Sequence, residues 1–298
     1  MKRLKPGWYI ILYHDISWEE NCYISSIGGT CPPDVFRQHV CTLASLGDLV
    51  SVTQGEKLLR DNAINVPIFS FWFDDGLTGV SRYAMPILDE FSVTGAVSIC
   101  SRFVRRTEFF WRFKLSYLNS IDGMRFLRSR LRKHGFKLGD SVKTFTLDSF
   151  SQEILDYVDE LFVRFTTPAQ RDDAYRMFLN RESIRLMYDR GWDIANHSAG
   201  HYPIGHEHNL SLLCPEHQEC EAEILDICGE PSRHWVLPFD RNSSEDVVRV
   251  ADSCRGDRYI VFVGDRPNTY QTCNATRVLY RFCAPVGSSE RLLNILGS

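Results

Sequence analysis

Short apolar runs alternate with amphipathic segments along most of this sequence. Residues 8–13 and 67–73 are rich in aromatic and β-branched side chains and end in polar residues, which predicts two buried strands. Between them, residues 32–46 carry apolar side chains close to helical spacing, with prolines at the start and a glycine just after the end. The sequence therefore begins with the order strand, helix, strand.

The same alternation continues as far as residue 263. Further strands are predicted over residues 95–100, 192–196, 234–237 and 259–263. Helices are predicted over residues 83–91, 182–190, 216–228 and 244–253. Regular alternation of this kind indicates an α/β fold with a parallel sheet or barrel. No linker or internal repeat divides the sequence, so we expect a single domain over residues 1–298.

A helix-rich block over residues 102–180 interrupts the alternation, and we interpret it as an insertion within the domain. Its first part is locally basic, with Arg102, Arg105, Arg106, Arg112, Lys114, Arg125, Arg128, Arg130, Arg132, Lys133 and Lys137. Such charges usually solvate the outer faces of helices, and this is the favoured interpretation. The alternative is that they hold a pyrophosphate or another anionic part of a substrate. A run of aromatics is expected to pack a core rather than stack on a sugar: Phe109, Phe110, Trp111 and Phe113.

Composition and charge exclude several classes of protein. The 34 Lys and Arg residues against 38 Asp and Glu residues give a net charge of −4, which argues against binding to nucleic acid through bulk charge. The apolar run at residues 8–13 is shorter than the roughly 7–15 residues of a secretion signal, and no stretch reaches the ~20 residues of a membrane span. The ten cysteines are scattered, so we expect most to be reduced and buried in a cytoplasmic protein.

Two adjacent carboxylates follow the predicted strand at 67–73. Asp74 and Asp75 precede Gly76, which permits a tight turn. In parallel sheets and barrels, ligands bind at the carboxyl ends of the strands, so this position favours a functional role. The alternative is a turn that caps the next helix.

A pair of histidines, His197 and His201, follows the predicted strand at 192–196. Two imidazoles four residues apart on one turn can bind the same ion, and one carboxylate completes an open three-ligand site of the kind that holds zinc. One aspartate of the Asp74–Asp75 pair would then bind the metal while its neighbour acts as a general base, because a cation between them offsets their repulsion. Taken alone, such a histidine pair is as often structural.

Five short motifs resemble those of the polysaccharide deacetylase family, the NodB-homology carbohydrate esterases. They are Tyr13-His14-Asp15-Ile16, Phe73-Asp74-Asp75-Gly76, His197-Ser198-Ala199-Gly200-His201, Leu237-Pro238-Phe239 and Leu279-Tyr280-Arg281-Phe282. The last of these is similar to the arginine-bearing final strand of one branch of the family. Order and rough spacing agree along nearly the whole chain outside the insertion, and motifs at strand ends rarely coincide in this way by chance.

The resemblance implies a distorted (β/α) barrel that binds a divalent metal. The expected metal is Zn²⁺, and Co²⁺ and Ni²⁺ are the alternatives. Its protein ligands would be Asp75, His197 and His201. With Asp74 as the base, water on the metal would attack an acetamido carbonyl. The metal and the backbone N–H of Phe239, beside Pro238, would hold the oxyanion. The products would be acetate and an amino sugar.

The sequence departs from the best-known branch of the family at three positions. The usual arginine before the proline–aromatic pair is absent where His234-Trp235-Val236 stand, and Asp240 occupies the usual glycine position. The closing histidine that normally serves as general acid has no counterpart near Leu279. The proton donor is therefore unassigned.

Other polar residues are candidates for the missing roles. Arg281 is expected to orient Asp74 in place of the absent arginine. His14 is a candidate proton donor or a support for the metal ligands, and the alternative is a structural histidine at a strand end. Asp15 and Arg241 are weaker candidates.

A second metal hypothesis is a structural zinc site formed by Cys214, His217 and Cys220, together with His206 or His208. Clusters without paired Cys-x-x-Cys spacing are usually incidental. The favoured alternative is that this acidic segment is the ordinary beginning of the predicted helix.

These inferences predict a metal-dependent N-deacetylase that removes acetyl from an acetamido sugar. In the cytoplasm its substrate would be a nucleotide-linked sugar, a lipid-linked intermediate or a growing surface polysaccharide such as the O-antigen of lipopolysaccharide, and the basic insertion would meet the phosphate of a linked precursor. A lipid-linked substrate implies peripheral contact with a membrane, whereas no nucleic-acid partner and no transmembrane segment are expected. The oligomeric state is not predicted. The alternatives are a deformylase or other amide hydrolase using the same site, and an inactive metal-containing domain that binds sugar.

Overall fold

The computed structural model describes residues 4–19, 21–133, 141–144, 151–203, 210–240, 245–254, 256–273 and 277–297. Its strands in chain order are β1 (Gly7–Tyr13), β2 (Asp15–Ile16), β3 (Thr30–Cys31), β4 (Asp48–Leu49), β5 (Pro67–Phe73), β6 (Ala96–Ile99), β7 (Asp193–Asn196), β8 (His234–Val236), β9 (Tyr259–Val263) and β10 (Val278–Cys283). Strands β1 and β5 to β10 form a closed parallel barrel, because β1 pairs with β5 on one side and with β10 on the other. The predicted distorted (β/α) barrel is therefore confirmed.

Helices connect most of these strands. In chain order they are α1 (Pro33–Ala44), α2 (Val52–Arg60), α3 (Met85–Asp89), α4 (Ser101–Val104), α5 (Trp111–Arg132), α6 (Gln152–Phe165), α7 (Pro168–Tyr175), α8 (Arg181–Asp189), α9 (Leu210–Cys228), α10 (Glu245–Cys254), α11 (Tyr270–Cys273) and α12 (Ser289–Leu296). A π-helical segment, Val80–Ala84, runs directly into α3. Helix α5 bends at Gly123, whose φ of 75° and ψ of 157° are not helical.

The strand predictions agree closely with the structure, whereas some helix boundaries differ. Helix α9 already includes Leu210 and carries Pro215 inside it, so the prediction that this helix begins near residue 216 is wrong. The apolar pattern does not predict α2 or α12. Helix α2 begins instead at a capping box, in which Ser51 and Gln54 bond each other's backbone N–H groups.

Side chains of the barrel strands alternate between two cores. Trp8, Ile10 and Leu12 of β1 belong to a core that includes apolar residues from all six of the remaining barrel strands. The residues between them on β1 pack in a second core with side chains of α1 and other helices. Because both sides of the strands are covered, their sequences are almost continuously apolar.

Helices α5, α6 and α7 lie in the chain between the neighbouring strands β6 and β7. They contribute to a separate apolar core, and it contains all four aromatics expected to pack: Phe109, Phe110, Trp111 and Phe113. The interpretation of residues 102–180 as an insertion in a single domain stays a prediction.

The structure does not support the structural zinc hypothesis. Cys214 forms a disulfide. The Cys220 thiol donates to a barrel carbonyl at 3.2 Å, and the His217 ring stacks on a tryptophan with centroids 4.1 Å apart. His206 and His208 lie outside the described residues. The three candidates that the structure describes therefore have other partners.

The structure pairs two of the ten cysteines. The disulfide joins Cys214 to Cys254, whereas the other eight cysteines are free, which agrees with the expectation that most are reduced; five of these eight are buried. In the part of the chain that the structure describes, no helix has both the length and the apolar character to cross a membrane.

A buried ion pair lies at the amino end of the barrel strands. His234 is the first residue of β8 and contacts the carboxylate of Glu56 in α2, and Arg233 lies 3.6 Å from the same carboxylate. Burial raises the pKa of Glu56, but His234 and Arg233 outweigh it, so the pKa lies below its usual value. The negative charge of Glu56 therefore stabilises the folded state.

We expect Glu56→Gln to lower the free energy of unfolding near pH 7 by about 3 kcal/mol, because loss of one partner leaves the other buried without compensation. Since the folded-state pKa of Glu56 is lowered, its stabilisation is present above the unfolded-state pKa of about 4.3 and is lost as the pH falls through the folded-state value. Urea unfolding near pH 7 and near pH 3 measures both effects. The difference in the free energy of unfolding between wild type and Glu56→Gln should be smaller near pH 3 than near pH 7.

Glu90→Gln is the matched control. Glu90 forms an exposed pair with Arg37, so its loss should leave the urea midpoint unchanged. Equal destabilisation in both variants would contradict the assigned role of Glu56. So would a difference in unfolding free energy between wild type and Glu56→Gln that does not change with pH.

Candidate active site

A cavity of about 480 Å³ lies at the carboxyl ends of the barrel strands. Asp74 and Asp75 follow β5, His197 follows β7 and Arg281 lies in β10, and all four side chains line the cavity together with His201. This is the end at which parallel barrels place their ligands. The fold thus joins Asp74 to an arginine 207 positions away in the chain.

The backbone is strained at several residues around this cavity. Four residues have φ values between 53° and 70°: Asp75, Ser198, His201 and Phe239. Residues other than glycine rarely adopt this left-handed backbone conformation. Strain of this kind persists only where the surrounding structure holds it, and it clusters at functional sites.

Three buried side chains converge on one point in the cavity. Asp75 Oδ1 lies 3.0 Å from His201 Nε2 and 3.5 Å from His197 Nε2, and a ligand atom from each residue lies within 4.8 Å of the others. Ligands about 2.1 Å from a tetrahedral ion are about 3.4 Å apart, so these separations suit a shared metal. Asp75 Oδ1 is buried and, within the described residues, forms no hydrogen bond of good geometry. One carboxylate and two imidazoles therefore fit a divalent ion such as Zn²⁺.

Contacts around the two imidazoles hold their orientation. His197 Nδ1 donates a hydrogen bond to the carbonyl oxygen of Val236 (3.0 Å), because a carbonyl can only accept. In the neutral ring, Nε2 then presents a lone pair toward the cluster. The His201 ring packs against Phe110 and Phe239, with ring centroids 4.4 Å and 4.9 Å away. Both rings are thus positioned by the protein itself.

The two oxygens of Asp74 have different surroundings. Oδ1 accepts hydrogen bonds from Arg281 Nη1 (2.7 Å) and Ser98 Oγ (2.8 Å). Trp72 Nε1 in turn donates to Ser98 Oγ (2.6 Å). Oδ2 lies 4.0 Å from His197 Nε2, on the side of the ligand cluster. One oxygen therefore fixes the carboxylate while the other faces the converging ligands.

The surrounding charges favour the ionised form of both carboxyl groups. Burial raises the pKa of Asp74, but Arg281 and His197 outweigh it and the pKa falls below its usual value. For Asp75, His201 and His197 overcome the effect of burial and hold the pKa well below its usual range. The two carboxylates also raise the pKa of His197 despite its burial, whereas burial lowers the pKa of His201. The site therefore holds two ionised carboxylates beside two imidazoles whose pKa values are shifted in opposite directions.

The remaining predicted residues differ in position. His14, Asp15 and Phe239 line the cavity, whereas Pro238 is buried and does not line it. Burial raises the pKa of Asp15 to about 6. Arg241 lies outside the described residues.

Asp240 also lines the cavity and is 8% exposed. Its Oδ2 accepts a hydrogen bond from the backbone N–H of Val263 at 2.7 Å. Burial raises the pKa of Asp240 to about 6, against the opposing charge of Arg281. Some Asp240 side chains are therefore protonated near neutral pH.

Two residues of the site are not predicted as site residues by the sequence: Ser98, which is buried and bonds Asp74, and Arg112, which lines the cavity. Ser98 is a polar residue in the otherwise apolar strand β6, which is the signal that identifies it in retrospect. Arg112 belongs to the basic block, where nothing in the local pattern separates it from its neighbours. In the structure it lines the cavity, with Cζ 4.9 Å from the ring centroid of Phe239.

The family model described as polysaccharide deacetylase matches residues 64–255, more than half of the chain. The matched segment contains Asp74, Asp75, His197 and His201. A search of curated proteins finds no significant match.

Several solved structures share the fold. The Streptococcus pyogenes deacetylase PplD, in complex with acetate, has a TM-score of 0.63 at 12% identity, covering 98% of this chain and 99% of that chain. IcaB from Ammonifex degensii has a TM-score of 0.61 at 12% identity, with 99% of each chain covered. The BpsB deacetylase domain from Bordetella bronchiseptica has a TM-score of 0.56 at 14% identity, with 93% and 96% covered. At these identities the likeness shows the fold alone, whereas the match to the family model shows that this chain belongs to the polysaccharide deacetylase family.

Proposed function

We propose that this protein is a metal-dependent N-deacetylase that hydrolyses the acetamido group of a sugar. The observation that carries the proposal is the position of Asp74, which is fixed through one oxygen by Arg281 while its other oxygen faces the three-ligand cluster. A domain that only bound sugar through a metal would need one carboxylate as a ligand. A second carboxylate, ionised and free of the cluster, is what the base in amide hydrolysis requires.

The proposed metal is Zn²⁺, with Co²⁺ or Ni²⁺ as alternatives, and its ligands are Asp75, His197 and His201. When bound, such an ion polarises a substrate carbonyl and lowers the pKa of water. Three protein ligands are typical of catalytic zinc sites, in contrast to the four of structural sites.

The neighbouring residues have separate roles in this proposal. Asp74 accepts the proton of the attacking water through Oδ2, while Arg281 and Ser98 keep the carboxylate charged and oriented through Oδ1. The backbone N–H of Phe239 donates to the carbonyl oxygen as it becomes negative. Pro238 is buried and directly precedes Phe239, where its ring restricts the backbone.

The leaving amine needs a proton, and we assign its delivery to His14, which lines the cavity with Asp74 and Asp75. Asp240 is the rival donor, because its pKa of about 6 leaves part of the population protonated. The pH dependence of kcat in His14→Gln and Asp240→Asn distinguishes the two.

Family membership implies an acetylated sugar as the substrate class. We propose a cell-surface polysaccharide, such as the O-antigen of lipopolysaccharide, or its nucleotide-linked or lipid-linked precursor. A formamide or another amide is the rival substrate for the same site. A panel of N-acetyl and N-formyl sugars separates these possibilities.

The cytoplasmic location predicted from the sequence stays a prediction. Cell fractionation of the native protein tests this prediction.

We expect Asp74→Asn to lower kcat for acetate release about 10²–10⁴-fold, because an amide cannot accept the proton of the attacking water. The measurement is acetate release from chitooligosaccharides and nucleotide-linked N-acetyl sugars by the zinc-loaded protein. Asp89→Asn is the matched control, because Asp89 lies at the end of α3 in an exposed pair with Arg190. Equal rates in wild type and Asp74→Asn would remove Asp74 as the base.

We expect His201→Gln to lose most of its bound metal, because only one imidazole and one carboxylate would remain in the cluster. Elemental analysis after zinc loading and dialysis should give about one ion per chain for wild type and much less for the variant. Asp74→Asn should keep its metal, since Asp74 is not a proposed ligand. An unchanged zinc content in His201→Gln, with a normal thermal melt, would place the metal elsewhere.

A further inference from the structure

Arg112 is a cation in the cavity that the proposed reaction does not use. It is the second residue of α5, and its side chain lines the cavity. The guanidinium carbon lies 4.9 Å from the ring centroid of Phe239, and the same ring lies 4.9 Å from the His201 ring. Arg112 and the proposed metal ligand His201 therefore both pack against the ring of Phe239.

Arg112 differs in its partners from five other basic side chains of residues 102–180. Within the described part of this block, ion pairs hold Arg102, Arg105, Arg106, Lys114 and Arg130. For Arg112 the described residues provide no ion pair, and its Nε is buried there without a hydrogen-bond partner. The interpretation of these charges as solvated or paired surface groups therefore does not extend to Arg112.

Arg112 is half-buried, and a guanidinium that is partly withdrawn from water without an ion-pair partner is costly. Burial lowers the pKa of Arg112 to about 10, although Asp75 acts in the opposite direction. The group remains charged at neutral pH. Within the described residues no ion pair joins Asp75 to Arg112, and Asp75 Oδ1 instead lies 3.0 Å from His201 Nε2 and 3.5 Å from His197 Nε2.

The other acids of the cavity have different partners. The acids that line the wall are Asp15, Asp74, Asp75 and Asp240. Asp74 is paired with Arg281, and Asp240 accepts from the backbone of Val263. Asp15 interacts with Ile16 and Thr30. Lys143 also lines the cavity and adds positive charge to it.

We propose that Arg112 binds an anionic group of the substrate, a carboxylate or a phosphate, and so selects acidic acetamido sugars. This inference rests on the proposed N-deacetylase function and names the substrate class. A guanidinium donates two parallel N–H groups to the paired oxygens of either anion. Its contact with the face of Phe239 limits the orientations available to it, which lowers the entropy lost on binding.

The test compares three probes that share the N-acetylglucosamine ring: the neutral methyl glycoside, the 1-phosphate and the corresponding uronic acid. The zinc-loaded wild type should show a higher kcat/KM for an acidic probe than for the neutral one. Arg112→Gln should lower kcat/KM for that acidic probe about 10–100-fold, as expected for loss of a hydrogen bond between charged groups, and leave the neutral probe within about threefold. The acidic probe whose kcat/KM falls in Arg112→Gln shows whether Arg112 binds a phosphate or a carboxylate.

Two further variants separate recognition from folding. Arg112→Lys should retain only part of the preference, because an ammonium lacks the planar fork. Arg106→Gln should keep the preference, since Arg106 is exposed and pairs with Asp172. An equal loss on all three probes, or a wild type that prefers the neutral probe, would overturn the proposal.

Binding to the metal-free protein separates this inference from the proposed function. Titration calorimetry with the 1-phosphate and the uronic acid should detect binding to wild type that weakens about 10-fold or more in Arg112→Gln. If no probe releases acetate, the N-deacetylase proposal fails while such a difference in binding still supports the anion site. If neither acid binds more weakly to the variant, the role of Arg112 is refuted whatever the activity.

Discussion

Two carboxylates buried side by side at the end of β5 determine what the rest of the site must supply. Moving an ion out of water costs several kcal/mol, so each carboxylate needs compensating charge or hydrogen bonds inside the protein. Asp74 has both, from Arg281 and Ser98. Asp75 has two imidazoles nearby, but its Oδ1 forms no hydrogen bond of good geometry within the described residues. The negative charge of Asp74 is therefore compensated by protein groups, whereas that of Asp75 would be compensated fully by a bound cation.

Closure of the barrel brings these partners together. Strand β1 lies between β5 and β10, and its Ile10 is in register with Ser70 on one side and with Arg281 on the other. The arginine therefore reaches Asp74 from a strand that is one neighbour removed from β5. Because both residues are anchored at the barrel, their 2.7 Å contact does not depend on a long loop. Sites built on such rigid elements hold the narrow geometry that proton transfer needs.

Local sequence predicts the parts of this structure that depend on local contacts. The β1 and β5 strands are nearly continuous apolar runs, and their bounds follow from that pattern. The histidine and aspartate motifs predict a metal site because strand ends of a parallel barrel share one face. The roles of Ser98 and Arg112 do not follow from sequence, because each depends on where a distant segment packs. Helix α9 begins earlier than predicted because Pro215 is accommodated inside it, which its sequence alone argues against.

His234 stands where the motif resemblance leads one to expect an arginine, and the cation that pairs with Asp74 comes from a different strand. His234 begins β8 and pairs with Glu56 at the amino end of the barrel. It therefore has no direct access to Asp74, which lies beyond the carboxyl end of β5. Arg281, 1% exposed in β10, donates to Asp74 instead. What the buried carboxylate requires is a guanidinium within hydrogen-bond distance, and the closed barrel allows several strands to provide it.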